Sequence, residues 1–329
     1  MTIADGRLVP GFRHEAVFYA DADEFVDRVG SFIIDAINAD EPVLVAVDRS
    51  KIELLRRALG ARGDAVVFAD MTEVGSNPAR IISVWRRFVA DRSVAGQPVR
   101  GVGEPIWPGR RSAEIVESQR HEELLNVAFR SEPLWLLCPY DVAGLDPEII
   151  AEARRSHPRV VDGSGGWPSP DYRGDGLIGA PCAAALSRPP ATAVEVDFNR
   201  ATLGSVRRHV ARAAEDLGLD AGERDDLALA AHELAANSVE HGGGSGLLRV
   251  WRHDDTVLCE VRDEGEMVAP LPPLAGWELP LPGAPGGRGL WMANQLCDLV
   301  QIRSGREGTT VRLHRHVVTT GFEAGSPDG

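Results

Sequence analysis

The sequence predicts an α/β protein of two domains, and three observations carry that expectation. Residues 12 to about 160 alternate short apolar runs with stretches of helical period. Residues 161–191 are dense in Gly, Pro, Ser and Ala. From Val194 regular patterning resumes and lasts to about Val318. Alternation of strand and helix builds an open, mostly parallel sheet with helices on both faces. A Gly- and Pro-dense stretch breaks both periodicities and reads as a linker. The expected organisation is a domain over 1–160, a linker over 161–191, a second domain over 192–318 and a loose tail over 319–329.

Taken in order, "EAVFYA" is a short strand. Phe25, Val29, Phe32, Ile33 and Ile37 then recur with the period of a helix. "PVLVAVD" is a nearly continuous apolar run, as a strand buried on both faces would be. "RSKIELLRRALGARG" returns to helix, "AVVFAD" to strand and "NPARIISVWRRFVADRS" to helix. "VRGVGEPIW" is extended, "RSAEIVESQRHEELLNVAFR" helical, and "LWLLCPYD" one more buried strand. No internal repeat is present.

Composition excludes several classes. The formal charge is −14, which repels phosphate backbones and argues against nucleic acid as a direct partner. No apolar run reaches about 18 residues, so no membrane span is expected. The first residues lack a basic stretch followed by an apolar block, so no signal peptide is expected. Cys138, Cys182, Cys259 and Cys297 are scattered, with no CxxC pair and no zinc spacing. Buried thiols in a reducing cytoplasm are the expectation.

The second domain carries four polar or glycine-rich boxes. In "HELAANSVEHGGG", Glu233, Asn237 and His241 recur one helical turn apart, beside a stripe of Leu227, Ala230, Leu234 and Ser238. An Ala-rich helix packs closely on a sheet and leaves the polar stripe at the edge of that packing, and the glycines end it. Taken alone, the stripe also fits a solvated face. "VLCEVRDEGE" alternates as a strand from Val257 to Arg262 and breaks at Asp263 and Gly265. A carboxylate there can point into a pocket and accept a hydrogen bond from an amino group; a plain β-turn fits equally. "APGGRGLWMANQLCD" is a glycine-rich turn opening a helix from about Leu290. Its N–H groups suit a phosphate, although a flexible loop also explains the glycines. "GREGTTVRLHR" turns into a final strand with Thr309 and Thr310 near its start, where β-propensity alone accounts for both.

Together and in this order, from Glu233 to Thr310, these boxes resemble the GHKL (Bergerat-type) ATP-binding fold over roughly residues 192–317. No phospho-acceptor helix pair precedes them. "HELAANSVEHG" and "GRGLWMANQLCDLVQIRSGREGTTVRLH" look most like the anti-sigma regulatory factors, serine-protein kinases of the stress-response and sporulation type. The resemblance implies an α/β sandwich and ATP with Mg²⁺ as cofactors. It implies a sigma factor and an anti-anti-sigma (STAS-type) protein as partners, the latter phosphorylated on Ser or Thr. It makes Glu233 the base or nucleophile-orienting carboxylate and Asn237 the Mg²⁺ ligand. Asp263 would accept from the adenine amino group, and Gly265 would let the base approach. Gly287, Gly289 and the backbone from Arg288 to Leu290 would embrace the phosphates, with Arg288 adding charge, and Thr310 would reach adenine. His241 is expected to cap or pack the helix end. Kinases of this kind often dimerise, so a homodimer is an expectation of the resemblance. One departure is the segment "EMVAPLPPLAGWELPLPGAP", where the family has its lid. So much proline implies a stiff, extended lid.

In the first domain, "RHEAVFYADADEFVDRVGSFI", "NPARIISVW", "VRGVGEPIW", "HEELLNVAF" and "LLCPYD" together look like the MEDS sensory domain over about residues 12–160. The resemblance implies a RecA-like fold without phosphate-binding capacity and a small-molecule ligand. No GxxxxGK[ST] loop follows "PVLVAVD". Candidate pocket residues are His14, Glu104, His121, Cys138 and Tyr140, with Glu122, Asn126 and Asp141, at expected strand ends or on the preceding helix. Open α/β sheets hold pockets beyond their C-terminal strand ends. His14, Glu104, His121 and Cys138 are candidate metal ligands without diagnostic spacing; structural hydrogen bonding explains them as well. The whole is expected to be a cytoplasmic, RsbA-family-like regulator in which the sensor modulates the kinase. The alternative is a regulator acting by contact alone, its nucleotide site a conformational switch or a vestige.

Overall fold

A computed structural model describes residues 2–4, 7–9, 11–162, 165–174, 184–266, 274–280 and 287–317. The expected tail, Cys182 and much of the linker and lid lie outside the described residues. The chain divides into two compact units. One comprises Met1–Ala185 with Pro270–Pro282, the other Leu186–Ala269 with Gly283–Gly329.

The first unit opens with a short hairpin, β1 (Thr2–Ala4) and β2 (Arg7–Val9). Its main sheet has seven strands: β3 (Arg13–Tyr19), β4 (Val43–Val47), β5 (Val66–Asp70), β6 (Val99–Gly103), β7 (Leu134–Asp141), β8 (Arg159–Asp162) and β9 (Gly165–Pro168). They lie in the order β5-β4-β6-β7-β3-β8-β9, parallel except for the final antiparallel pair. The strand "VLVAV" is buried along its whole length, as a continuous apolar run covered on both faces requires. Helices α1 (Ala22–Asn38), α2 (Arg49–Leu59), the short α3 (Met71–Val74), α4 (Ile81–Arg92), α5 (Ser112–Ala128) and α6 (Pro147–Ser156) connect them. Aspartates Asp21, Asp48, Asp70 and Asp146 begin four of these helices, each accepting from a first-turn N–H. One face of the sheet packs Phe25, Val29, Ile33 and Leu55; the other packs Trp85, Leu124, Leu125 and Phe129. The α/β, mostly parallel expectation holds.

Two assignments change. Residues 161–168, read as linker from their glycines, contain the end of β8 and all of β9. Val160 pairs with Trp167, and that ring packs against the core, so one aromatic holds a glycine-rich strand in place. Residues 274–280, read as part of the second domain, belong to the first unit. Trp277 is 4% exposed within its core, its ring lies 6.3 Å from that of His121, and Glu278 pairs with Arg86 at 2.7 Å. An apolar ring of that size finds its burial where it can.

The second unit has five antiparallel strands: β10 (Val194–Asn199), β11 (Ser245–His253), β12 (Thr256–Asp263), β13 (Leu299–Gly305) and β14 (Gly308–His316). Their order is β10-β11-β12-β14-β13. Helices α7 (Val206–Asp216), α8 (Ala221–His241) and α9 (Arg288–Leu296) cover one face. A capping box starts α8: Asp220 accepts from the Glu223 N–H at 2.8 Å, and Glu223 accepts from the Asp220 N–H at 3.1 Å. Ala228, Ala230, Ala231 and Ala235 are buried, so small side chains let α8 lie close on the sheet. No helix among the described residues is long and apolar enough to cross a membrane.

Candidate functional site

The four boxes of the second unit converge at one end of α8. Gly289, in the first turn of α9, lies over the polar stripe of α8. A Cβ built on it would sit 3.0 Å from Asn237 Nδ2 and 3.4 Å from Glu233 Cβ. Gly287 is the N-cap of α9, with φ 85°, a left-handed conformation that glycine adopts without strain. The opening N–H groups of α9, from Arg288, Gly289 and Leu290, have no partner within the helix and carry its positive dipole end. The Arg288 side chain is exposed, while that of Leu290 is buried in the core. Leu290 therefore offers its backbone alone.

Asp263 ends β12, and its carboxylate is held from two sides. Ser238 Oγ donates to Oδ2 at 2.5 Å and the Gly265 N–H donates to Oδ1 at 2.9 Å. Glycines are required around it. A Cβ on Gly242 would lie 2.4 Å from Asp263 Cγ, and one on Gly265 would lie 2.6 Å from Gly242 Cα. The chain following α8 is thus glycine because it passes against the carboxylate; Gly243 and Gly244 then take left-handed φ of 95° and 91°. His241 neither caps nor packs, since its side chain is 72% exposed beside Glu240.

Thr310 is a correction. Asp263 pairs in register with Thr309, so these two share the helix-covered face, and alternation sends Thr310 to the other. That other face carries Arg312, which bonds Glu260 and the Ser187 carbonyl at 2.6 Å each. It is the Thr309 hydroxyl that reaches the site, donating to the Gly265 carbonyl at 2.7 Å and lying 2.7 Å from Ser304 Oγ. Ser238, Gly242 and Thr309 are the neighbours of Asp263 that sequence reading missed. Ser238 stood among the apolar positions of its helix, and the choice between Thr309 and Thr310 needed the strand register.

The first unit separates the five sensor candidates into three places. Glu104, at the end of β6, accepts from Lys51 Nζ at 2.8 and 2.9 Å and from Tyr19 OH at 2.6 Å. Burial raises its carboxyl to about 7 against the opposing pull of the Lys51 ammonium. The same partner holds the Lys51 ammonium above its usual value, although burial opposes this. His121 stacks near Trp277, and burial lowers its ring to about 4. His14 and Cys138 meet a different set, Glu122 of α5 and His157 just after α6, all four fully buried, with the Tyr140 ring 5.7 Å from that of His157. Glu104 and His121 thus stand apart from His14 and Cys138 and do not complete a ligand set with them. The cluster also lies under α5 on a face of the sheet, whereas strand-end logic places a pocket beyond the C-terminal ends. His157 had no signal in sequence beyond its position before a strand. A cleft of about 160 Å³ borders His14 and Asn126.

Comparison with known proteins divides the chain into the same two parts, except that residues 274–280 fall inside the second match. Residues 13–158 match the family model of the MEDS domain, the methanogen/methylotroph, DcmR sensory domain. Residues 197–315 match that of the histidine kinase-like ATPase domain. No curated protein matches the chain. A crystal structure of the RsbU and RsbW domains of Rv1364c from Mycobacterium tuberculosis is similar at 22% identity and a TM-score of 0.30; the match covers 40% of this chain and 34% of that one. The chain thus joins a MEDS sensory domain to a histidine kinase-like ATPase domain.

Proposed function

We propose that the second unit binds ATP with Mg²⁺ and transfers its terminal phosphoryl group to a serine or threonine of an anti-anti-sigma partner. The same unit sequesters a sigma factor, and the first unit modulates it. The observation that carries the reading is Gly289 lying over Glu233 and Asn237, because a larger residue would fill that space. The donor set fits the group. Asn237 offers a neutral oxygen suited to a hard cation, α9 offers unpaired N–H groups, and Asp263 offers a positioned acceptor backed by Ser238 and Gly265. Bound Mg²⁺·ATP supplies the transferable phosphoryl group and neutralises its charge. Glu233 then orients the incoming hydroxyl and receives its proton. Arg288, exposed at the same helix start, adds a positive charge on the phosphate side.

The strap around Trp277 supports modulation by the first unit. In sequence it lies between the Asp263–Gly265 box and the Gly287–Leu290 box, while Trp277 is buried in the core of the first unit. The acidic overall charge suits competition for the basic DNA-binding surface of a sigma factor.

The test is calorimetric titration of the full chain with ATP and Mg²⁺, beside Asn237→Ala. Magnesium-dependent binding that the variant loses supports the reading. A folded chain that binds no nucleotide sinks it and leaves regulation by contact alone. Glu233→Ala should retain binding and abolish phosphorylation of a STAS-type partner.

A further inference from the structure

The cluster of His14, Glu122, Cys138 and His157 lies outside the nucleotide site and is not used by it. Its four ligand-capable atoms lie within 4.8 Å of one another. His14 Nε2 is 3.0 Å from Glu122 Oε2, His157 Nε2 is 3.2 Å from the same oxygen, and Cys138 Sγ is 3.4 Å from His14 Nε2. A tetrahedral zinc ion with bonds of about 2.0 Å to N and O and about 2.3 Å to S sets its ligands about 3.3 Å apart for N and O and about 3.5 Å apart for N and S. Three of the six separations are close to those edges, and the other pairs lie within 4.8 Å.

The surroundings fix which nitrogen of each ring faces inward. Asn126 donates through Nδ2 to the Ser156 carbonyl at 2.8 Å, so its Oδ1, 3.0 Å from His14 Nδ1, is an acceptor. His157 Nδ1 lies 2.8 Å from the Ala153 carbonyl, which only accepts. Both rings therefore carry their proton on Nδ1 and turn a bare Nε2 lone pair toward a carboxylate. Glu122 Oε1 and His157 Nε2 make no hydrogen bond although both are buried. Protons alone resolve this poorly. Protonating both rings would place two imidazolium ions with centroids 4.0 Å apart in a fully buried site. A divalent cation gives both Nε2 lone pairs and Glu122 Oε2 a shared partner, and two neutral imidazoles, one carboxylate and one thiolate bring the buried site to zero net charge.

We propose that the sensor unit holds a zinc ion ligated by His14, Glu122, Cys138 and His157, with Asn126 and the Ala153 carbonyl orienting the two imidazoles. Four protein ligands close the coordination sphere, which marks a structural or sensing site and not a hydrolytic one. The ion ties together β3, β7, α5 and the segment after α6. Its ligand Glu122 neighbours His121, which stacks near Trp277. Binding releases the Cys138 thiol proton to solvent and breaks no other bond.

The experiment is metal analysis of the full chain as purified, followed by cobalt(II) titration of the chelator-stripped protein. About one zinc per chain is expected. Cobalt should give the intense tetrahedral spectrum with thiolate-to-metal charge transfer. Cys138→Ser should remove the charge-transfer band, and Asn126→Ala should weaken affinity about 10–100-fold. Glu104→Gln should leave stoichiometry unchanged. Because ligand variants can misfold, a second measurement uses the unaltered chain: zinc should slow alkylation of Cys138, read by peptide mass, and a chelator should restore it. A folded chain that takes up neither zinc nor cobalt overturns the proposal. So does a cobalt spectrum indifferent to Cys138→Ser, Cys138 alkylation indifferent to chelator, or iron or copper in place of zinc.

Discussion

The candidate nucleotide site of the second unit and the buried cluster of the first differ in how they are written along the chain. The nucleotide site comes from boxes a few residues long, each marked by glycine where backbone must approach closely. Gly289 lies over Asn237, Gly242 against Asp263, and Gly308 has a virtual Cβ 2.1 Å from the Asp263 carbonyl. The cluster takes one residue each from positions 14, 122, 138 and 157, on four different elements of a parallel sheet and its helices. Sequence motifs arise when local backbone geometry does the work. When tertiary packing does it, the residues share no spacing, and only the fold brings them together.

The largest test concerns the segment that crosses this division. Trp277 lies in sequence among the nucleotide boxes and in space within the core of the first unit. Trp277→Ala should destabilise the first unit by about 3–5 kcal/mol, the usual cost of emptying a buried aromatic site. Thermal unfolding of the full chain should show a lower transition for that unit. If the strap also couples the units, the variant's nucleotide affinity changes while the residues of the nucleotide site remain intact. An unchanged melting curve would mean that the ring is not held there.

Next in size is the glycine over the Glu233 and Asn237 stripe. Gly289→Val should weaken ATP binding by more than about tenfold, an effect of at least about 1.4 kcal/mol. Valine is no worse than glycine in helix propensity, so the stability cost is that of overpacking against Asn237 and Glu233, about 1–3 kcal/mol. Binding at wild-type strength would show that the close approach of α9 to Glu233 and Asn237 plays no part in holding nucleotide.

Much of the fold was legible. Continuous apolar runs in "VLVAV" and the helical period of Phe25, Val29 and Ile33 fixed strand and helix types because burial on one or both faces imposes those periods. Glycine density misled at β9, where Trp167 packing outweighs poor strand propensity, and proline density hid the anchor at Trp277. In the candidate site, Glu233, Asn237, Asp263 and Gly289 stood out in sequence because their types and order are distinctive. Thr309 was missed for Thr310 because one residue of register decides the face, and that register follows from pairing with β12.

That register makes the two threonines an internal control. Thr309→Val removes a hydroxyl that bonds the Gly265 carbonyl and contacts Ser304, leaving part-buried acceptors unmet. A loss of about 1–3 kcal/mol in stability is expected, with weaker nucleotide binding. Thr310→Val, on the opposite face, should change nucleotide affinity by less than about twofold and stability by no more than about 0.5 kcal/mol. Reversal of the pair would return the role to Thr310 and shift the register by one.

The last effect belongs to a polar group that neither site uses. The Glu104 carboxyl is raised from 4.5 to about 7 by burial, despite Lys51. A carboxyl whose folded value is raised binds its proton more tightly in the folded state. Its contribution to stability is full below pH 4.5 and is lost as pH climbs through about 7. Glutamine mimics the protonated form, so Glu104→Gln should match the wild type at low pH. The variant should then gain on it between about pH 4.5 and 7, as read by denaturant midpoints at each pH. A difference between the two that stays flat across that window would mean that the Lys51 ion pair fully offsets the cost of burying the charge. Glu104 would then be a neutral strut at the C-terminal end of the sheet.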